Sequence, residues 1–241
     1  MLNISSSDRP ASNQAKQANP ANSANQSNQA KKAGRTGSEV PVTIVHLVRH
    51  GEVFNPGKIL YGRIPGYHLS SRGHSMAART AKSFAGHDVA YLAASPLLRA
   101  QQTAQPISKV TGLDVEECPQ VIESGNDFEG LRTKGLRSQL WNPKRWPQMY
   151  NPLEPSWGEP FVDIADRMMA AVHDIRDKAE GHEGIVVSHQ LPIVMVQRTV
   201  RGQALAHAPW NRECALASVT SLVFSGEEIV DIRYSTPAWE I

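Results

Sequence analysis

The sequence predicts an α/β domain in which helices cover both faces of a largely parallel sheet. Three short runs, apolar almost throughout, at residues 42–48, 89–94 and 184–187, have the length of strands buried on both sides. Segments with helical periodicity separate them, which is the order that builds a parallel sheet through crossover helices. The 241-residue chain has ample length for one such domain beyond its polar leader.

Residues 1–41 are expected to be a disordered low-complexity tail. All 23 positions of 11–33 are Ala, Asn, Gln, Ser, Lys or Pro, and no Val, Ile, Leu, Met or aromatic residue lies between Ile4 and Val40. Such a segment cannot bury enough apolar surface to offset the entropy of ordering it. The domain is then 42–241. Val42 to Val48 gives the first strand, and the Pro56-Gly57 and Pro65-Gly66 pairs mark a long loop after it. Ser70 or Ser71 can cap a helix running to about Ala85, with Ala77, Ala81 and Phe84 on one face. A second strand at 89–94 ends in Ser95-Pro96, a helix spans 97–109, and Gly112 stands near its end. Pro143, Pro147, Pro152 and Pro155 punctuate an irregular stretch, read as a lid over 131–159. Phe161, Ile164, Met168, Val172 and Ile175 then step at helical spacing. The third strand leads into a helix over 192–200, and 214–224 with 229–234, split by Ser225-Gly226, read as a strand pair.

The formal net charge is +2, unevenly spread. Residues 1–42 carry five basic and two acidic side chains, and the remaining chain carries 20 and 21. A near-neutral domain argues against nucleic acid as the main partner, because that binding rests on phosphate neutralisation by a dense basic face. Cys118 and Cys214 lack zinc-site spacing and are expected as small buried residues. No apolar run is long enough for a membrane span, and the first residues lack the apolar segment of a secretory signal. A cytoplasmic protein without a membrane partner is the expectation.

The chemistry gathers at strand ends. The first strand ends in Arg49-His50-Gly51-Glu52, the third in Ser188-His189, and Arg99 lies about one turn into the helix after the second. Open α/β sheets bind ligands outside the carboxyl ends of their strands. Neutral imidazole is a nucleophile, and arginine forks match phosphate oxygens. Two histidines and two arginines delivered to one edge point to a phosphate site.

These residues carry a family resemblance. From about Thr43 to Tyr234 the chain resembles the histidine phosphatase superfamily, with its phosphoglycerate-mutase-like fold. Arg49-His50-Gly51-Glu52 is similar to the nucleophile motif of that family. The stretch from Ser95-Pro96-Leu97-Leu98-Arg99 through Ala100-Gln101-Gln102-Thr103-Ala104 resembles its second-arginine motif, and Val186-Val187-Ser188-His189 its second-histidine motif. Glu123 with Phe128-Glu129-Gly130 resembles the acid/base glutamate and the signature after it. Val53, Ser75-Met76 and a one-residue-shorter interval after Glu123 depart from the family pattern, which keeps Asp127 and Glu129 as substitutes for the acid.

The resemblance implies a three-layer α/β/α sandwich with a mostly parallel sheet. It implies a metal-independent phosphatase acting on a small phosphorylated substrate, with no cofactor. His50 would accept the phosphoryl group, Arg49, Arg99 and His189 would hold phosphate, and Glu123 would donate the proton. Asn55 matches a position that often contacts phosphate. Arg63 lies where substrate-loop residues usually fall, or is a solvated loop charge. Glu123-Ser124-Gly125-Asn126 lacks the mutase signature at the acid, which favours a phosphatase over a phosphoglycerate-type mutase. A phosphate-binding module with little turnover is the non-enzymatic alternative. Arg132, Lys134, Arg137, Lys144 and Arg145, interleaved with Trp141, Trp146, Tyr150 and Trp157, would furnish the lid with substrate contacts or packing.

Overall fold

Burial on both faces of three adjacent parallel strands is what organises the domain. The computed structural model describes residues 40–132, 138, 139, 142, 143 and 158–241. Its strands are β1 (Val42–Arg49), β2 (Val89–Ala94), β3 (Glu116–Glu117), β4 (Glu183–Ser188), β5 (Val219–Ser225) and β6 (Glu228–Ser235). Its helices are α1 (Ser71–Ser83), α2 (Leu98–Thr111), α3 (Phe161–Lys178) and α4 (Gln190–Val200). The sheet order is β3-β2-β4-β1-β5-β6. The first four strands in that order pair in parallel, and β5 and β6 add antiparallel pairs.

Successive side chains point to opposite faces, and both faces are apolar. Val45, Leu47, Ala93 and Val186 join Ile164, Met168, Val172, Ile175 and Ile193 in a core beneath α3 and α4. Val48, Leu92, Ala94, Ile185 and Val187 join Ala81, Phe84, Ala104 and Ile107 in a second core beneath α1 and α2. The result is the expected three-layer sandwich. Leu92, Ile107, Met168 and Ile185 are fully buried. Truncating any of them to alanine costs about 2–5 kcal/mol by the usual large-to-small scale.

Several expected boundaries shift, each for a physical reason. Ser70 is the N-cap of α1, its side chain accepting from the Gly73 amide. The strand expected from Cys214 starts at Val219, because the Glu213 and Cys214 carbonyls accept side-chain hydrogen bonds instead of ladder bonds. Ala217 in the turn before it adopts a left-handed φ of 55°. There its amide donates to the His50 carbonyl and its carbonyl accepts from Thr80. The fourth helix begins at Gln190, with Pro192 in the first turn, where a missing N–H leaves no intrahelical bond unmade. β3 is two exposed glutamates on the sheet edge and has no apolar signature. Cys118 and Cys214 are buried and free. No helix among the described residues is long and apolar enough to cross a membrane. Residues 1–39 of the expected tail, and 133–137, 140, 141 and 144–157 of the expected lid, lie outside the described residues.

Candidate active site

β2, β4 and β1 are adjacent in the sheet, so their carboxyl ends open onto one edge. The His50 amide extends the ladder past β1 by donating to the Ser188 carbonyl at 3.1 Å. Gly51 then turns the chain against α1. Its amide donates to Thr103 Oγ1 at 3.1 Å, and a Cβ there would stand 2.6 Å from the Gly73 carbonyl oxygen. Only glycine allows this approach, which sets the angle at which His50 leaves the sheet.

The His50 ring is buried, and its Nδ1 lies 2.8 Å from the Gly51 carbonyl oxygen. A carbonyl only accepts, so Nδ1 carries the proton and the lone pair stands on Nε2. His189 is also buried, with ring centroids 5.2 Å apart. Arg99 Nη2 donates to His189 Nδ1 at 3.3 Å, so the proton of that ring is on Nε2, which donates to Ser95 Oγ at 2.7 Å. Burial, followed by the Arg99 and Arg49 cations, holds the His50 imidazole well below the ordinary histidine range. Burial and then the neighbouring His50 do the same for His189. Both rings are neutral at pH 7.

The two arginines have little local compensation. Arg99 is buried, donates to the Gly62 carbonyl at 2.8 Å and lies 4.8 Å from the Tyr61 ring centroid. Burial lowers its pKa, and the Glu123 carboxylate is the foremost group acting against that. Arg49 Nη1 donates to the Cys214 carbonyl at 2.5 Å. Among the described residues, Arg49 Nε and Arg99 Nε are buried without a hydrogen-bond partner. Arg176 Nε shares that state, but its guanidinium belongs to a contact with Asp177 and the Gly226 carbonyl. Orphaned buried N–H groups are rare, and two beside a pair of neutral histidines make an anion cradle.

Glu123 follows a 3-10 turn (Pro119–Val121) fixed to the sheet by Ser188 Oγ, which donates to the Val121 carbonyl at 2.7 Å. Arg63 Nε donates to the Glu123 carbonyl at 2.6 Å, and Arg167 Nη1 to the Ile122 carbonyl at 2.9 Å. Glu159 ties the two arginines together, at 2.8 Å from Arg63 and 2.7 Å from Arg167. Burial alone would raise the Glu159 carboxyl, but the bonds and charge of Arg167 and the charge of Arg63 outweigh it and hold the group low. Glu123 is thus carried on a braced loop, while among the described residues its own carboxylate accepts from the Ser124 amide and hydroxyl. Of the substitutes, Glu129 is engaged by the Arg63 amide at 2.8 Å, and Asp127 is exposed.

The structure therefore brings Arg49, His50, Arg99 and His189 together, with Glu123 acting electrostatically on Arg99. Asn55 and Arg63 are engaged elsewhere. The Asn55 amide brackets its own turn, bonded through Nδ2 and Oδ1 to Ile59, and Arg63 braces the Glu123 loop rather than standing as a solvated charge. Of the lid, Arg132 is described, its Nε donating to the Gly57 carbonyl. Lys134, Arg137, Trp141, Lys144, Arg145, Trp146, Tyr150 and Trp157 lie outside the described residues.

Sequence reasoning assigned no role to Ser95, Tyr61, Thr103 or Arg212. Ser95 and Thr103 flank Arg99 inside the second-arginine motif, where their hydroxyls were available to read. Tyr61 sits in a loop with no pattern. Arg212, whose pKa is lowered by burial with Glu123 acting against that, follows a Pro-Trp-Asn turn that gives no signal.

Comparison with known proteins agrees with this geometry. The histidine phosphatase superfamily (branch 1) profile matches residues 45–235. An uncharacterized protein of Mycobacterium tuberculosis is 52% identical over 197 residues, covering 81% of this chain and 97% of that protein. A metal-independent phosphoserine phosphatase of Arabidopsis thaliana is 32% identical over 163 residues, covering 63% of this chain and 66% of that protein. The structure of a mycobacterial glucosyl-3-phosphoglycerate phosphatase superposes with a TM-score of 0.62 at 21% identity, covering 81% of this chain and 98% of the other, and shows the same phosphoglycerate-mutase-like fold. With its profile matched from the first strand to the last, this chain belongs to branch 1 of the histidine phosphatase superfamily.

Proposed function

We propose that the protein is a metal-independent phosphatase that hydrolyses small phosphomonoesters through a phosphohistidine on His50, inside the cytoplasm. The observation that carries this reading is the pair of orphaned arginine Nε–H groups beside a neutral histidine with its lone pair on Nε2. A phosphate dianion seated there would satisfy both donors. Phosphoryl transfer needs chiefly in-line positioning and charge stabilisation, which fixed guanidinium groups supply.

In the first step Nε2 of His50 forms a bond to phosphorus as the ester P–O bond breaks. Glu123 gives its proton to the leaving alkoxide. In the second step Glu123 takes a proton from water as the water oxygen attacks phosphorus and the N–P bond breaks. Arg49, Arg99 and His189 hold the transferred group throughout. Asn55 and Arg63 shape the wall of the substrate loop.

The test is a screen of phosphorylated metabolites against purified protein in EDTA, with the phosphoenzyme trapped on the preferred substrate. Turnover in chelator and acid-labile phosphate on the native chain are expected, both absent in His50→Ala. Near-normal hydrolysis by His50→Ala would overturn the mechanism.

A further inference from the structure

Toward the amino ends of the parallel strands, a second cluster of donors lies apart from the phosphoryl pocket. His46 projects from β1, Glu183 opens β4, and His87 stands in the turn between α1 and β2. Their donor atoms all lie within 4.8 Å of one another, the one such trio of His, Cys, Asp or Glu among the described residues. One oxygen serves both rings: Glu183 Oε2 is 2.9 Å from His46 Nε2 and 2.7 Å from His87 Nδ1. His46 and His87 border a cavity of about 500 Å³, whose wall also includes Arg79, Ser83, Ser221 and Thr236.

From these contacts we infer that His46, His87 and Glu183 form a binding site for a divalent transition ion of the zinc class. Two imidazole nitrogens and a carboxylate oxygen are a zinc-type donor set, and three protein ligands leave a fourth position open. Magnesium and calcium, which call for oxygen shells, do not match it. Ser221 Oγ lies 2.8 Å from His46 Nδ1, a partner on the far side of the ring of the kind that orients a metal-bound imidazole. Bonds of about 2.0–2.1 Å would set tetrahedral ligand atoms roughly 3.3 Å apart. The nitrogen–oxygen gaps of 2.9 and 2.7 Å therefore open slightly. His87, whose side chain is 41% exposed, is free to make that move while His46, at 7%, stays fixed. A second pair, His182 and Asp88, joins the same two loops at 2.7 Å, and the Glu183 amide donates to the Asp88 carbonyl. An ion here would clamp β1, β4 and the α1–β2 turn, with its open position toward the cavity.

Zinc ion titrated calorimetrically into the chelator-treated full chain, in phosphate-free buffer, tests the site. Wild type and His50→Ala are expected to bind one equivalent with the same affinity. His87→Ala and the shape-preserving Glu183→Gln are each expected to weaken that equivalent by at least about tenfold. Zinc should raise the melting temperature of wild type and not of His87→Ala. Wild-type affinity in both His87→Ala and Glu183→Gln, loss of the equivalent in His50→Ala, or no binding by wild type would each overturn the inference.

Discussion

A single backbone carbonyl decides which nitrogen of His50 keeps a free lone pair. Because the Gly51 oxygen accepts from Nδ1–H, the proposed attack falls to Nε2, and a side chain that mimics only Nδ1 is not expected to replace it. Glu123 makes a sharper claim, since a general acid matters in proportion to how badly the leaving group needs a proton. Glu123→Gln is expected to slow phosphoenzyme formation from alkyl phosphates by about 10²–10⁴-fold. The nitrophenol burst from p-nitrophenyl phosphate should fall far less, because nitrophenolate leaves unaided. Arg99→Ala should harm both substrates alike, as it acts on the transferred group. Equal burst losses for the two substrates in Glu123→Gln would remove Glu123 from the acid role. The same burial that keeps the histidines neutral also links folding to pH. Unfolding exposes His50 and His189, which then take up protons below about pH 6.5, while the folded rings resist them. Stability therefore falls as pH drops below that value, by at most ~1.4 kcal/mol per pH unit for each ring. A lower urea midpoint at pH 5.5 than at 7.5 is expected, with a shallower dependence in His189→Gln. A flat midpoint would mean that the rings charge in place.

The loop carrying Glu123 depends on partners far from it in sequence. Arg167 on α3 donates to the Gln120 and Ile122 carbonyls and forks onto Glu159. Arg167→Ala would leave Glu159 half-buried with Arg63 and the Gly125 amide as its remaining partners, at a stability cost of roughly 1–3 kcal/mol for the lost charged hydrogen bonds. A lower melting temperature, with a kcat loss larger for alkyl than for nitrophenyl phosphates, is expected. Unchanged kcat on both would show that the loop holds itself. None of this bracing was legible in advance, because Arg167 sits on the polar side of a helix whose apolar stripe alone announces it. The strands were legible for the opposite reason. Val45, Leu47, Val186 and their neighbours are apolar on successive positions, which only a doubly covered sheet requires. β3 escaped notice because two edge glutamates hydrogen-bond through backbone, which composition does not record.

The candidate pocket was legible where its residues sit at strand ends or just inside the helix that follows, as with His50, His189 and Arg99, and illegible where they arrive on irregular turns, as with Tyr61 and Arg212. The tail lies at the other extreme, a segment whose composition gives it no face to dock. Deleting residues 1–38 is expected to leave melting temperature and turnover nearly unchanged, and a large drop in either would show that the segment folds against the domain. The placement of β1 has a further consequence, for how the chain is made. It is synthesised first among the strands yet lies at the centre of the sheet, and its neighbours are supplied only when Glu183 and Val219 have been translated. Until then Val45, Leu47 and Val48 have no partners on either edge, and an unpaired apolar strand invites association with other chains. Ribosome-bound intermediates that end short of β4 are therefore expected to be protease-sensitive and to recruit chaperones. The proposed nucleophile at the end of β1 meets His189, at the end of β4, only once most of the polypeptide has emerged.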